Sequence, residues 1–197
     1  MSFVLCALIG VLIGGIPFGI VVSRAVRGID PRQIGSGTSG ATNVSRALGK
    51  GWGIVVLVLD ACKGYLPVKY LAPLLMQDDP TQGGLILAVA ATAGHVWTPY
   101  ARFRGGKGVA TAAGAMLALN PASLLLALGI WAIVVAIFRF VSLGSLLAAI
   151  CFPVIAWRIN PDEMGVVKAG ALIAVLLIFT HRANLLRILR GTENRLF

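Results

Sequence analysis

The chain has 197 residues, 58% of them apolar and only 12% charged, with a net charge of +10. A chain this apolar cannot keep all of it in one soluble core, so lipid is its solvent and a soluble globular domain is excluded. The basic residues fall between apolar runs instead of along one polar face, which excludes nucleic acid and points to anionic membrane surfaces or anionic substrates.

A spanning helix needs about 20 mainly apolar residues, and the repeated runs predict an all-α integral membrane protein of about seven transmembrane helices. They use almost the whole chain, so residues 1–197 are expected to form a single polytopic membrane domain. The first span is predicted from Phe3 to Val22, with Gly10, Gly14, Gly15 and Gly19 as a close-packing face. Arg24 and Arg27 follow it and no basic residue precedes it, the reverse of a secretory signal, so it should remain as a span. After a polar stretch from Ser23 to Gly53, the second span is expected from Ile54 to Leu75, ended by Asp78, Asp79 and Pro80. The third runs from Gly83 to Phe103, and a short helix from Val109 stops at Asn120-Pro121, where proline cannot continue the ladder. The rest are placed at Ala122 to Phe138, Val141 to Trp157 and Gly165 to Leu186. Cys6, Cys62 and Cys151 each sit alone in an apolar segment, without metal or disulfide spacing.

Seven spans put alternate loops on opposite sides of the membrane. One set of loops collects Arg24, Arg27, Arg32, Arg46 and Lys50, then Arg102, Arg104 and Lys107, then Arg139, and finally Arg182, Arg187, Arg190 and Arg195, against Arg158 in the other set. The positive-inside rule then places the N-terminus outside and the C-terminus in the cytoplasm, with the polar motifs on the cytoplasmic face.

Three motifs carry candidate chemistry. Residues 35–43 read GSGTSGATN and satisfy GxGxxG through Gly35, Gly37 and Gly40. No strand-helix-strand unit surrounds them, and Ala41 stands where a phosphate loop would continue with Lys, so neither nucleotide motif applies. The shared physics remains: glycines let N–H groups converge on an anion, Ser36, Ser39 and Thr42 add hydroxyls, and Arg46 and Lys50 follow. A flexible loop is the plain alternative. The second motif is His95 followed by Phe103 to Thr111, where glycines and Lys107 precede a helix N-terminus; a basic loop on anionic lipid is its plain alternative. The third is His181, Asn184 and Arg187, spaced to share a helical face, with Glu193 beyond; a basic stop-transfer cluster explains its arginines but not a His and an Asn. Asp60 and Lys63, three apart in the second span, should pair or line a polar cavity.

Together these segments describe a cationic pocket suited to more than one phosphate. The His-x4-Asp motif of common glycerolipid acyltransferases is missing, since Tyr100 and Leu186 stand where its Asp would be. The clustered aspartates of metal-dependent alcohol phosphotransferases are missing as well.

Over nearly its full length the chain resembles the bacterial acyl-phosphate:glycerol-3-phosphate acyltransferases, the PlsY family. The resemblance rests on Gly35 to Gly49, on His95 through GGKGVAT to Thr111, and on His181 to Glu193, with DxxKG at Asp60 to Gly64 and RxxS at Arg139 to Ser142. Thr38 stands where the family usually has Asn, Thr98 where it usually has Pro, and Ala183 where a charged residue is common. The resemblance implies transfer of a fatty acyl group from acyl phosphate to glycerol 3-phosphate in the bacterial cytoplasmic (inner) membrane, giving lysophosphatidic acid and phosphate without cofactor or metal. The enzyme that makes acyl phosphate becomes a candidate partner.

An acyl phosphate is already activated, so positioning and charge stabilisation can carry the rate. Substrate binding is then expected from Gly35, Ser36, Gly37, Gly40, Thr42, Asn43, Arg46, His95, Gly105, Gly106, Lys107, Ser142 and Glu193, and catalysis from His181, Asn184 and Lys107. The competing class is a small transporter or flippase for an anionic metabolite. It predicts internal repeats and polar residues at mid-membrane, neither of which is clear here.

Overall fold

The computed structural model describes residues 3–196, whose regular elements are all helices joined by loops, with no strand among them. The helices gather into two compact units, Met1–Ala118 and Leu119–Phe197, within the stretch that the sequence reading treats as one domain.

The first unit begins with α1 (Phe3–Gly15) and α2 (Phe18–Arg27), which together form an apolar stretch of 25 residues long enough to cross a membrane. The single helix expected there is interrupted at Ile16-Pro17, because proline has no N–H for the ladder. The carbonyls released at the break find other donors: Thr98 Oγ1 donates to Gly15 O, and Lys63 Nζ donates to Ile16 O at 2.7 Å. Gly28, at φ 68°, closes α2 through its N–H to Arg24 O.

A loop and a short 3₁₀ turn (Pro31–Gln33) lead to α3 (Ala41–Leu48) and then α4 (Lys50–Leu66). The second expected span is not one regular helix. Pro67 opens a π-helical segment (Pro67–Leu71), in which Ala72 N–H reaches back to Pro67 O, before α5 (Ala72–Leu75). In α6 (Pro80–Val96) the Asp79 side chain caps the N-terminus by accepting from Gln82 N–H. α6 ends at Val96, short of the expected Phe103, because Pro99 holds Thr98 extended (ψ 121°). The short helix α7 (Val109–Leu119) lies where the sequence predicts it.

Glycines set the spacing in this unit. A Cβ on Gly14 would lie 2.0 Å from Ala91 O, and one on Gly94 would lie 2.3 Å from Val11 O, so α1 and α6 touch backbone to backbone. Gly64 and Gly114 let α4 and α7 approach in the same way, their Cβ positions 2.0 Å from Thr111 O and 1.9 Å from Ala61 O.

The second unit holds α8 (Pro121–Phe138), α9 (Val141–Ile159), α10 (Met164–Thr180) and α11 (Arg182–Leu189). Asn120 caps α8 by accepting from Ser123 N–H. By length and composition α8 and α9 each suffice to span, and α10 with α11 counts as one further span only if a 57° bend is allowed. The uninterrupted last helix expected from Gly165 to Leu186 therefore breaks at His181. There the backbone N–H turns to Leu177 O and Ile178 O, and Nδ1 stands 2.8 Å from Leu177 O. Exposed Leu125, Ile133, Leu172 and Val175 give these helices surfaces suited to lipid.

Candidate active site

The first loop is organised by Asn43, a residue 1% exposed at the start of α3. Its Nδ2 donates to the carbonyls of Pro31 (2.6 Å), Thr38 (2.8 Å) and Ile34 (3.0 Å), while its Oδ1 accepts from Ser36 N–H at 2.9 Å. Gly35 and Gly37 supply φ values of 59° and 70°, which L side chains rarely adopt. Two N–H groups expected to face an anion are used inside the loop: that of Ser36 on Asn43, and that of Gly37 on Ile34 O at 3.2 Å. Ser36 Oγ lies 3.1 Å from Thr38 Oγ1. Thr42 and Arg46, both on α3, are exposed. Gly40 is the residue before α3, with extended backbone and open space where a Cβ would go.

Arg32 ties this loop to the second. Its Nε and Nη2 fork onto Asp30 at 3.0 and 2.7 Å, and its Nη1 donates to Ala101 O at 3.0 Å and Arg104 O at 3.2 Å. The Arg32 hydrogen bond holds the Asp30 carboxyl below the usual carboxylate range. Asp30 is not singled out by sequence, and Arg32 enters there only as a loop charge, not as a candidate site residue. The available signal is Asp30-Pro31, a cap residue followed by proline, which marks a helical turn.

The second loop folds back over His95. Gly105 N–H donates to Val96 O at 3.0 Å and Gly106 N–H to His95 O at 3.2 Å. These glycines are steric necessities: a Cβ on Gly105 would lie 1.9 Å from His95 O, and one on Gly106 would lie 2.2 Å from His95 Nε2. Arg102 and Phe103, at φ 56° and 59°, turn the chain sharply before them. Lys107 is half-buried just beyond. The buried His95 has its Nδ1 3.2 Å from Thr111 Oγ1 and 3.6 Å from Asp60 Oδ1, and Asp60 pairs with Lys63 at 2.7 Å.

In the second unit three of the predicted residues meet directly. Ser142 Oγ donates to Glu193 Oε1 at 2.7 Å, Asn184 Nδ2 donates to the same oxygen at 2.6 Å, and Arg187 Nε donates to Oε2 at 2.8 Å. Burial pushes the Glu193 carboxyl up, but the hydrogen bonds from Asn184, Ser142 and Arg187, with the Arg187 charge, outweigh it and hold the carboxyl below its usual range. Asn184 and Arg187 do share a face of α11, as their spacing predicts. His181 instead sits at the α10–α11 bend, 2% exposed. The tail after α11 is anchored by Leu196 N–H on Arg139 O at 2.8 Å, and this carries Glu193 back to the α8–α9 turn.

The chemistry on offer is consistent across both units: hydroxyls, amides and guanidinium or ammonium groups set by a rigid backbone. Such groups bind and orient phosphates.

The model of the family described as glycerol-3-phosphate acyltransferase matches residues 4–191. A glycerol-3-phosphate acyltransferase of Myxococcus xanthus is 45% identical, covering 95% of this chain and 96% of its own. A crystal structure of PlsY (YgiH), an integral membrane glycerol 3-phosphate acyltransferase in its glycerol 3-phosphate form, superimposes with a TM-score of 0.90 at 35% identity, covering 99% of this chain and 96% of that one. Its lysophosphatidic acid form gives a TM-score of 0.88 at 34% identity, covering 99% and 95%.

Proposed function

The chain belongs to the glycerol-3-phosphate acyltransferase family, and we propose that it takes its acyl group from acyl phosphate, at the cytoplasmic face of a bacterial inner membrane. It is an integral membrane acyltransferase that acts on glycerol 3-phosphate and forms lysophosphatidic acid. A glycerol hydroxyl attacks the acyl carbonyl carbon, the new ester C–O bond forms, and the carbonyl carbon's bond to the phosphate oxygen breaks to release inorganic phosphate. The hydroxyl proton passes to His181 or to a substrate phosphate oxygen.

In this reading Ser36, Thr42 and the backbone around Gly35, Gly37 and Gly40 hold the acyl-phosphate head. Arg46 and Lys107 neutralise phosphate charge, and His181 and Asn184 orient glycerol 3-phosphate. Asn43 holds the first loop in shape, Gly105 and Gly106 let the second fold over His95, and Glu193 holds Ser142 and Asn184. The enzyme that makes acyl phosphate is its proposed partner. The bias of Lys and Arg among the loops supports the cytoplasmic placement.

One observation carries the two-phosphate reading: Arg32 fastens the loop that precedes Arg46 to the turn that precedes Lys107. Two cationic segments tied together suit two anionic head groups. Purified protein in detergent should release phosphate from synthetic acyl phosphate only when glycerol 3-phosphate is added. Lys107→Ala and Asn184→Ala should both slow that release at subsaturating glycerol 3-phosphate. Full activity in either would remove that residue from the site.

A further inference from the structure

Asp60 lies on α4 inside an apolar stretch and is 1% exposed, where an ionised carboxylate is costly unless partnered. Lys63 Nζ stands 2.7 Å from its Oδ1, and the same ammonium donates to Ile16 O at the Pro17 break. Those contacts alone would describe a structural pair. A second group also faces that oxygen: His95 Nδ1, on α6, stands 3.6 Å from it and 3.2 Å from Thr111 Oγ1 on α7. With Nδ1 turned to Asp60 and Thr111, the other ring nitrogen meets the second loop, where a Cβ on Gly106 would lie 2.2 Å from Nε2. The residue after Gly106 is Lys107.

We propose that Asp60 is a positioning residue for the substrate loop: it holds His95 with its proton on Nδ1, and the ring in turn sets the backbone at Gly105-Gly106 from which Lys107 reaches a phosphate. Lys63 balances the Asp60 charge and anchors the pair to the broken first span. A histidine between a buried carboxylate and a basic loop transmits position as it does behind a metal or a nucleophile, by fixing tautomer and ring orientation. The inference rests on reading Lys107 as a phosphate-binding group.

The chain has two histidines, so ¹⁵N imidazole spectra of the full protein in detergent can follow His95 beside His181. Asp60→Leu alone would leave a buried ammonium without its carboxylate, so the informative variant is Asp60→Leu/Lys63→Met, which removes both charges while keeping the branched shape of Asp60 and most of the length of Lys63. It should stay folded with a modest drop in melting temperature from the Ile16 carbonyl that loses Lys63, a drop shared with the Asp60→Asn/Lys63→Met control. It should also lose the single Nδ1–H tautomer of His95 and raise KM for glycerol 3-phosphate about tenfold to a hundredfold. KM for acyl phosphate should hold. Asp60→Asn/Lys63→Met keeps a neutral acceptor for Nδ1–H and should recover both the tautomer and most of the KM. A double Leu/Met variant with an unchanged His95 spectrum and wild-type KM overturns the proposal, as does an Asn/Met variant no better than Leu/Met. If Lys107→Ala leaves KM untouched, the reading of Lys107 fails, and the His95 spectra still decide the role of Asp60.

Discussion

Arg32 Nη1 donates to the carbonyl of Ala101 at 3.0 Å, across 69 positions of sequence, and so joins the two basic loops of the first unit. The same guanidinium is forked onto Asp30, so its direction is set before it reaches Ala101. Arg32→Lys keeps the charge and loses the fork. It should raise KM for glycerol 3-phosphate several-fold, and Arg32→Ala should also cost about 1–3 kcal/mol of stability, because Asp30 loses the fork and is left with Arg24 and one backbone N–H, while the Ala101 and Arg104 carbonyls lose their donor. Initial rates and thermal unfolding in detergent measure the two effects separately.

Asp30 gives that clamp a pH dependence of known sign. Its carboxyl is held low in the folded protein by the Arg32 hydrogen bond, so it adds stability above its unfolded pKa and loses that contribution as pH falls through the folded one. Wild-type stability should therefore fall below about pH 4, and Arg32→Ala should flatten that part of the profile. Unfolding midpoints measured from about pH 3 to about pH 6, across the ordinary carboxylate range, test this.

Asn43 is expected to tolerate no substitution. Asn43→Asp keeps the volume but turns an acceptor-only group toward the oxygens of Pro31, Ile34 and Thr38. Each buried group left unmade costs about 1–3 kcal/mol, so Asn43→Ala and Asn43→Asp should both unfold well below wild type. An Asn43→Asp protein with wild-type melting would show that the loop has another support.

The sequence shows where the apolar runs lie and which residues form the motifs, because both are local patterns. The interruptions within the runs follow from Pro17, Pro67 and Pro99, whose effects are local too. They stay hidden because a hydropathy run reads through a proline unless a turn signal such as Asn120 stands beside it. Contacts made by Arg32, Thr98 and Lys63 bridge distant segments, and nothing in their neighbours' identity marks the carbonyls they reach. Asn43 and Glu193 were legible as motif members. Their work inside the fold was not, since an amide or carboxylate in a motif looks the same whether it faces substrate or its own backbone.

Glycines of the first unit should separate sharply. A Cβ on Gly19 would lie 1.8 Å from Ser39 O and one on Gly106 2.2 Å from His95 Nε2, whereas Gly40 has nothing within 4 Å and an ordinary φ of −75°. Gly19→Ala and Gly106→Ala should each cost about 1–3 kcal/mol by overpacking. Gly40→Ala should melt within about 0.5 kcal/mol of wild type. Since Gly40→Ala leaves the fold intact, a change in its KM for acyl phosphate would report directly on a ligand beside that backbone.

Glu193 should behave as the keystone of the second unit's cluster. Ser142 and Asn184 both donate to Oε1 and Arg187 donates to Oε2, so every polar neighbour named there points a proton at the carboxylate. Glu193→Gln puts an amide N–H₂ where an acceptor is needed and should cost about 1.5–3 kcal/mol, the range for hydrogen bonds to a charged group. The glutamine carbonyl oxygen can still accept from Ser142 and Asn184, which leaves the N–H₂ facing Arg187; that side chain is 36% exposed and screened by solvent, so the loss should fall toward the low end of this range. The folded carboxyl lies below its usual range, so its stabilisation is complete above the unfolded pKa and disappears as pH falls through the folded value. Wild type should therefore lose stability in acid and converge on Glu193→Gln. Parallel unfolding curves for the two proteins at every pH would mean that the carboxylate charge contributes nothing, and that Asn184 is held by some other contact.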